Sequence, residues 1–237
     1  MALHHNPRIV TSDLTIALDA GDVNSYLGSG ATAYDLSGNS HHATLVNGLS
    51  YSTSNRGVFS LDGTNDEIVF TSVNNIGGLA EHAWEIWVRT SGLGPGQTVG
   101  GLICPDYGMI SYIAGDGTVV YYLYNTDAGY PGTYIVSLNA TSVNMFDGNW
   151  HHIICTRQQY GLAYIYIDGE VKATSGNTGD WSGSTIWSSM AMRAGHNPND
   201  TPYHLYGDIA LVRIYKKYFT ASEVEQNYLA QKSRFGL

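Results

Sequence analysis

Short stretches in which apolar and polar residues alternate occur along most of this chain, a pattern typical of β-strands. The clearest stretch runs from Trp150 to Val171. Its second half places Ala163, Ile165 and Ile167 on one face of a strand and tyrosines on the other. Asp168-Gly169 then supplies the two positive-φ residues that a two-residue hairpin turn requires. The pattern therefore predicts a strand hairpin at this point.

The same pattern predicts further strands, and the end of the chain predicts a helix. Thr220 and Glu223 have the spacing of a capping box, in which each side chain bonds the backbone amide of the other residue. Val224 and Tyr228 follow four residues apart on one helix face. Gly115–Gly117 indicates a hairpin in the less regular region between residues 90 and 140. The other predicted strands are Leu14–Leu18, Ile68–Phe70, Ala83–Arg89, Met109–Ile113, Val119–Tyr124 and Gly207–Tyr215.

Composition restricts the kind of partner that the chain can have. A net charge of −9 with no basic run argues against nucleic acid and against an anionic membrane surface. No apolar run approaches the roughly 20 residues of a membrane-spanning helix, and the N-terminus lacks the apolar core of a signal peptide. Two cysteines are too few for a disulfide framework. We expect Cys155, within an apolar strand, to be a buried free thiol, with a bridge to Cys104 as the alternative.

Several sequence blocks follow one another in a recognisable order. They are Asp35–Asn39 (DLSGN), Phe59–Asp66 (FxLDGxND), Ala83–Arg89, Trp150-His151, Tyr166–Gly169 (YxDG) and Gly207–Tyr215 (GxIxxVxIY). Together these blocks resemble the laminin G-like domains of the concanavalin A-like lectin/glucanase group. The resemblance covers nearly the whole chain. It is strongest to the domains carried by tailed bacteriophages, because of Asn6–Thr11, Leu18–Ala20 and Arg234–Leu237.

This resemblance implies a fold and a setting. The fold is all-β, an antiparallel jelly-roll β-sandwich of concanavalin A-like type with one short C-terminal helix. Residues 13–237 are expected to form a single domain after an extended arm at residues 1–12. The setting is a non-enzymatic virion protein, made in the host cytoplasm and displayed as a capsid decoration or a tail adhesion module.

The two ends of the chain are the expected attachment points to neighbouring capsid or tail subunits. A terminal extension can fold onto a partner without disturbing the core. Deleting Met1 to Val10 is therefore expected to abolish assembly and to leave the domain folded. Residues 230–237 are expected to make similar contacts. A homo-oligomer is also open, although no coiled-coil pattern occurs in the chain.

Enzymatic activity is the lesser alternative. Glucanases of this group carry two or three carboxylates at alternate positions of one strand, with carboxyls about 5 Å apart for retaining chemistry. Glu85 is the carboxylate in a comparable strand, but Trp87 and Arg89 occupy the alternate positions. The nucleophile-elbow pattern Gly-x-Ser-x-Gly is absent as well. We therefore interpret the chain as non-enzymatic, with a glycoside hydrolase kept as an alternative.

The resemblance also implies a candidate calcium site, since laminin G-like domains often hold calcium at the rim of the sandwich. Calcium requires hard oxygen ligands. Asp62, Asn65 and Asp66 provide such oxygens within one turn, and Asp35 and Asn39 do so in another. The alternative is that these side chains bond their own backbone in Asx turns.

Glycan binding is the main alternative to a purely structural role, and the two are compatible. Lectin sites use aromatic platforms and a few polar groups on loops. The loops around residues 176–206 are rich in aromatic residues, although long loops also bury their own aromatics or contact another protein. Replacing either loop tryptophan with Ala is expected to abolish retention on a cell-surface glycan with little change in stability. The candidate contacts are Trp181, Trp187, Tyr203 and Tyr206, with Tyr107 and Tyr130 as weaker ones.

Overall fold

Most of the regular structure is antiparallel β-strand, with one α-helix close to the C-terminus. The computed structural model describes residues 8–70, 81–105, 109–124, 134–176, 192–196 and 203–237. In chain order the strands are β1 (Leu14–Asp19), β2 (Thr32–Ala33), β3 (Ala43–Val46), β4 (Ser50–Ser52), β5 (Val58–Asp62), β6 (Glu67–Phe70), β7 (His82–Arg89), β8 (Val99–Gly101), β9 (Ile103–Pro105), β10 (Met109–Ala114), β11 (Val119–Tyr124), β12 (Tyr134–Ala140), β13 (Trp150–Arg157), β14 (Ala163–Ile167), β15 (Glu170–Thr174), β16 (Met192–Ala194) and β17 (Tyr206–Tyr215). Helix α1 spans Ala221–Gln231, and short 3₁₀ helices span Ser54–Arg56 and Lys232–Phe235.

The strands form two layers around one hydrophobic core. The large sheet has the order β15-β14-β13-β7-β17-β5-β4, and β1 pairs with β17 beside this path. The opposite layer consists of a five-stranded sheet, β2-β3-β6-β16-β9, and a four-stranded sheet, β12-β11-β10-β8. Buried side chains from all three sheets pack into a single cluster between the layers. This arrangement confirms the predicted antiparallel β-sandwich with one short C-terminal helix.

The alternation seen in the sequence corresponds to the two faces of the large sheet. Trp84, Ile86 and Val88 of β7 all lie in the core between the layers, as predicted. The hairpin of β14 and β15 turns at Asp168 and Gly169, whose φ angles are 55° and 84°. Both angles are positive, as the predicted two-residue turn requires. The alternation of apolar and polar residues thus correctly predicted which side chains of β7 face the core.

The outer face of the large sheet is covered by the C-terminal segment of the same chain. The predicted capping box is present at the start of α1, with Thr220 and Glu223 bonding each other's amides. On the sheet, the Trp87 ring stacks against Phe235 at 4.2 Å and against Tyr228 at 5.9 Å between ring centroids. This face of the sheet is therefore a second buried layer.

Both ends of the described chain pack onto the domain itself. Val10 is buried, and its amide donates to Oδ1 of Asn227 on α1 at 2.8 Å. Arg234 donates to Oδ1 of Asp19 at 2.7 Å, and Phe235 is buried. Arg234 and Phe235 of the C-terminal segment are therefore anchored on the domain, and the expected contact of residues 230–237 with a neighbouring subunit stays a prediction. Deleting the arm as far as Val10 would likewise remove contacts within the fold.

Cys104 and Cys155 are both buried and are not joined by a disulfide, as expected for Cys155. Burial raises the pKa of the Cys155 thiol well above its usual value, and the neighbouring Cys104 adds to this effect. The Cys155 thiol is thus a protonated core residue. Separately, neither α1 nor any other helix in the described ranges has the length and apolar character needed to cross a membrane.

Candidate functional site

A cavity of about 350 Å³ opens where β5, β7 and β17 lie side by side in the large sheet. Its wall combines an exposed aromatic ring, an ion pair and several small polar groups. Pockets of this kind, partly apolar with a few placed polar groups, are typical of sites for small ligands. The lining residues are Ser60, Leu61, Arg89, Thr90, Ser91, Gly148, Tyr206, Gly207 and Asp208.

Strand register brings the polar side chains of the pocket together. Asp208 on β17 is paired with Ser60 on β5 on one side and with Arg89 on β7 on the other. Side chains of directly paired residues emerge on the same face of a sheet. The three residues therefore form one row across three strands, although Ser60 and Asp208 lie 148 positions apart in the chain.

The row is linked by charged hydrogen bonds. Arg89 donates to Oδ2 of Asp208 from Nε at 2.9 Å and from Nη2 at 2.5 Å, and Ser60 Oγ donates to Oδ1. The Arg89 guanidinium also lies 5.2 Å from the ring centroid of Trp150, within the range of a cation–π contact. An arginine held on two sides presents its remaining N–H groups in a fixed direction.

Tyr206 supplies the aromatic surface of the pocket, with 45 % of its area exposed. Its carbonyl accepts a hydrogen bond from Thr90 Oγ1 at 2.6 Å. The next residue is Gly207, where a Cβ atom would lie only 2.3 Å from the carbonyl oxygen of Arg89. Glycine at this position lets β17 approach β7 closely, and the backbone beneath the Tyr206 ring is thereby fixed.

The predicted calcium turn lies close to the pocket, and its carboxylates bond the turn itself. Asp62 Oδ1 accepts a hydrogen bond from the amide of Thr64 at 2.8 Å, and Asp66 Oδ2 accepts one from the amide of Asp62 at 3.0 Å. Burial raises the pKa of the Asp66 carboxyl, an effect that the hydrogen bond from the Asp62 amide opposes and the Asp62 charge reinforces. The Asn65 carbonyl accepts from the Asn47 side chain at 2.6 Å. These contacts have the form of an Asx turn.

The second turn considered for calcium is held in the same way. Asp35 accepts hydrogen bonds from the amides of Ala17, Ser37 and His41, at distances between 2.8 and 3.0 Å. The Asn39 side chain donates to the carbonyls of Thr15 and Leu14 in β1, at 3.0 and 3.1 Å. Across the described ranges, no group of three or more His, Cys, Asp or Glu residues is arranged to hold a metal ion.

Glu85, the strand carboxylate considered for catalysis, is fully buried under α1. It accepts hydrogen bonds from Arg213 at 2.9 Å, His152 at 3.0 Å and Asn227 at 2.7 Å. Burial alone would raise the pKa of Glu85, but the charge of Arg213 and these hydrogen bonds outweigh it and lower the pKa to about 2. The carboxylate is therefore a charged structural residue on the face that the helix covers.

The predicted aromatic contacts have different positions. Tyr206 lines the pocket, whereas Tyr203 is half-buried and its ring stacks on Tyr112 with centroids 6.5 Å apart. The structure therefore places Tyr206, and not Tyr203, at the cavity wall. The remaining predicted contacts lie outside the described residues, namely Trp181, Trp187, Tyr107 and Tyr130.

Sequence reasoning identified one aromatic residue of the pocket and none of its charged residues. Arg89 and Asp208 each belong to a predicted strand, but nothing in a strand pattern shows which strands are neighbours. The one available signal was charge, because Asp208 is a polar residue near the start of an apolar strand. That signal could not identify Ser60 or Arg89 as its partners.

Comparison with protein families gives one match. A family model described as the concanavalin A-like lectin/glucanases superfamily matches residues 62–225, which is well over half of the chain. The matched segment contains β6 to β17 and the start of α1, and with them most of the pocket. No curated protein matches the chain.

Solved structures with a similar fold include several binding domains of clostridial toxins. They include the botulinum neurotoxin serotype D binding domain (TM-score 0.68, 16 % identity, 94 % of this chain and 53 % of that chain) and the binding domain of Paraclostridial Mosquitocidal Protein 1 (0.67, 17 %, 91 % and 52 %). A third is the binding domain of botulinum neurotoxin DC in complex with SialylT (0.66, 16 %, 92 % and 52 %). The chain spans about half the length of these domains. At this level of identity the similarity concerns the fold.

Proposed function

The chain belongs to the concanavalin A-like lectin/glucanase superfamily, and from this premise we propose that it is a non-catalytic carbohydrate-binding module. The observation that carries the proposal is the pocket in which an exposed Tyr206 ring lies beside the Arg89–Asp208 pair. A sugar ring has an apolar C–H face that packs on an aromatic ring and hydroxyls that need directed polar partners. The pocket offers both within one cavity.

Two further observations support binding rather than catalysis. Glu85 is held in a network of hydrogen bonds beneath α1, so it is not available to attack or protonate a glycosidic bond. Among the described residues that line the pocket there is one carboxylate, Asp208, whereas glycoside hydrolysis ordinarily uses a pair. One structurally similar domain, the binding domain of botulinum neurotoxin DC, was solved in complex with SialylT. That domain is about twice as long as this chain, and the complex is a property of that domain.

A glycan array of the purified protein tests this proposal, in calcium and in a chelator. Matched variants are Tyr206→Ala and Tyr34→Ala, whose tyrosines are 45 % and 42 % exposed, because Tyr34 is not part of the pocket wall. We expect the wild type and Tyr34→Ala to retain the same glycans. Tyr206→Ala should bind them at least about tenfold more weakly, which corresponds to about 1.4 kcal/mol.

Two outcomes would refute the proposal in this form. One is an array on which the wild type retains no glycan, with or without calcium. The other is retention by Tyr206→Ala equal to that of the wild type. If binding is lost instead in Trp181→Ala or Trp187→Ala, the site belongs to the loops around residues 176–206. Loss of binding in the chelator would assign calcium a role, with Asp62, Asn65 and Asp66 as its proposed ligands.

We also propose that the module is displayed on a phage particle, as a capsid decoration or a tail adhesion protein. The support is the resemblance of the sequence blocks at Asn6–Thr11 and Arg234–Leu237 to phage-borne domains. Because Val10 packs against α1, the proposed attachment segment is the part of the arm before it. Removing residues 1–7 keeps the Val10 contact with α1 and should prevent incorporation into virions, with circular dichroism used to verify that the truncated protein is folded. Normal occupancy of the truncated protein on particles would exclude this role for the arm.

A further inference from the structure

The charge of the pocket indicates the class of sugar that it accepts. Among the described residues that line it, Arg89 is the cation and Asp208 the anion, and they are bonded to each other. We infer that the ligand is a neutral sugar recognised through two adjacent hydroxyls, and not an acidic sugar. This inference rests on the proposed function, and it specifies the substrate class of the same site.

The charges of the pocket are balanced before a ligand binds. A carboxylate ligand needs an uncompensated cation, and the charge of Arg89 is already balanced by Asp208 at 2.5 Å. An acidic sugar bound to the outer edge of Arg89 would bring a second negative charge close to Asp208. Like charges at such distances repel each other, most strongly in a partly enclosed pocket. The protein as a whole carries a net charge of −9, which adds to the repulsion.

Hydrogen-bond donors and acceptors lie side by side in the pocket. A guanidinium has five N–H groups, and two of those on Arg89 are used by Asp208. Within the described part of the chain, its Nη1 group donates to no other residue. Asp208 Oδ1 and Ser60 Oγ retain lone pairs next to these donors. Neighbouring hydroxyls of a sugar ring match this arrangement, because one can accept from Arg89 while the next donates to Asp208.

The pocket is small, and its arginine is held in place. A cavity of about 350 Å³ lies at the lower end of the range for small-ligand pockets, roughly 300–1,000 Å³, and suits about one or two sugar rings. Arg89 is fixed between Asp208 and the Trp150 ring. Side chains that are ordered before binding lose little entropy when the ligand arrives. The exposed Tyr206 ring then provides the surface for the C–H face of the sugar.

Titration with matched neutral and acidic oligosaccharides tests this inference in the wild-type protein. The measurements are made at about 0.1 M and about 1 M NaCl, where the screening length falls from about 10 Å to about 3 Å. We expect binding to neutral sugars, no binding to sialylated or uronic acid sugars, and a Kd that changes less than about twofold with salt. Preference for acidic sugars, weakened at high salt, would overturn the inference and leave the proposed function in place.

A substitution that changes the charge of the pocket gives the sharper test. Asp208→Asn leaves Arg89 uncompensated, so affinity for neutral sugars should fall roughly tenfold or more and salt-sensitive binding of acidic sugars should appear. Ser60→Ala, which keeps the ion pair, should weaken neutral binding without creating any acidic binding. If a folded Asp208→Asn protein does not bind acidic sugars, the inference is contradicted.

The remaining outcomes separate failure of this inference from failure of the proposed function. If Asp208→Asn fails to fold, the wild-type titrations against neutral and acidic sugars still decide the question. If the wild type binds neither class of sugar, the proposed function fails and this inference fails with it. Binding of acidic sugars alone, by contrast, removes only the inference about substrate class.

Discussion

Glu85 is a strand carboxylate in the context where related glucanases carry catalytic groups, and in this protein it stabilises the fold. Its carboxylate joins Arg213 of β17, His152 of β13 and Asn227 of α1. Asn227 in turn accepts a hydrogen bond from the backbone amide of Val10. The arm, the helix and the large sheet are therefore joined by one hydrogen-bond network. A buried charge of this kind is stable only while its partners remain in place. The sequence placed Glu85 on a strand, but its partners come from distant elements.

Replacing Glu85 with Gln should therefore be strongly destabilising. Arg213 would be left as an uncompensated buried charge, which costs about 3–5 kcal/mol. Chemical denaturation of Glu85→Gln and of a control at the exposed Glu81, Glu81→Gln, measures the difference. We expect the control to differ from the wild type by less than about 0.5 kcal/mol. Equal stability of the two variants would show that the network contributes little.

The lowered pKa of Glu85 also predicts how stability depends on pH. Its value is about 2 in the folded protein, against an ordinary value of 4.5. The carboxylate therefore contributes its full stabilisation above about pH 4.5 and loses it as the pH falls towards 2. The unfolding free energy of the wild type should decrease over this interval, and that of Glu85→Gln should decrease less. Parallel curves for the two proteins would contradict the assignment.

At the scale of elements, the C-terminal segment turns a two-layer sandwich into a structure with a third, partial layer. The capping box and the spacing of Val224 and Tyr228 predicted α1 correctly. They did not show that the following turn would place Phe235 on Trp87. That contact depends on the aromatic face of the large sheet, which the strand pattern presents as simply outward-facing. For the same reason the sequence did not predict that Phe235 would be buried on the domain.

Phe235→Ala should remove much of this packing. Its ring is buried against Trp87 and Trp150, so the substitution is expected to destabilise the fold by about 3 kcal/mol. Leu237→Ala, two residues later and 48 % exposed, is the matched control and should change stability by less than about 0.5 kcal/mol. Thermal and urea unfolding measure both variants. A Phe235→Ala protein as stable as the control would mean that the tail does not hold the helix in place.

At the scale of the whole molecule, local patterns predicted the elements and long-range pairing created the pocket. The alternation around Ala83–Arg89 and the turn at Asp168-Gly169 are visible over a few residues, so they could be predicted. The meeting of Ser60, Arg89 and Asp208 depends on the order of β5, β17 and β7 in the sheet, which no local pattern contains. Tyr206 was identified only because an aromatic residue beside a loop is hard to explain as core.

The measurement that bears most directly on glycan recognition is a crystal structure with the best-retained neutral oligosaccharide. We expect the sugar in the cavity beside β17, with its ring on Tyr206 and adjacent hydroxyls within hydrogen-bond distance of Arg89 and Asp208. A sugar bound elsewhere on the domain, with the Arg89–Asp208 pair untouched, would contradict the assignment of this pocket as the binding site.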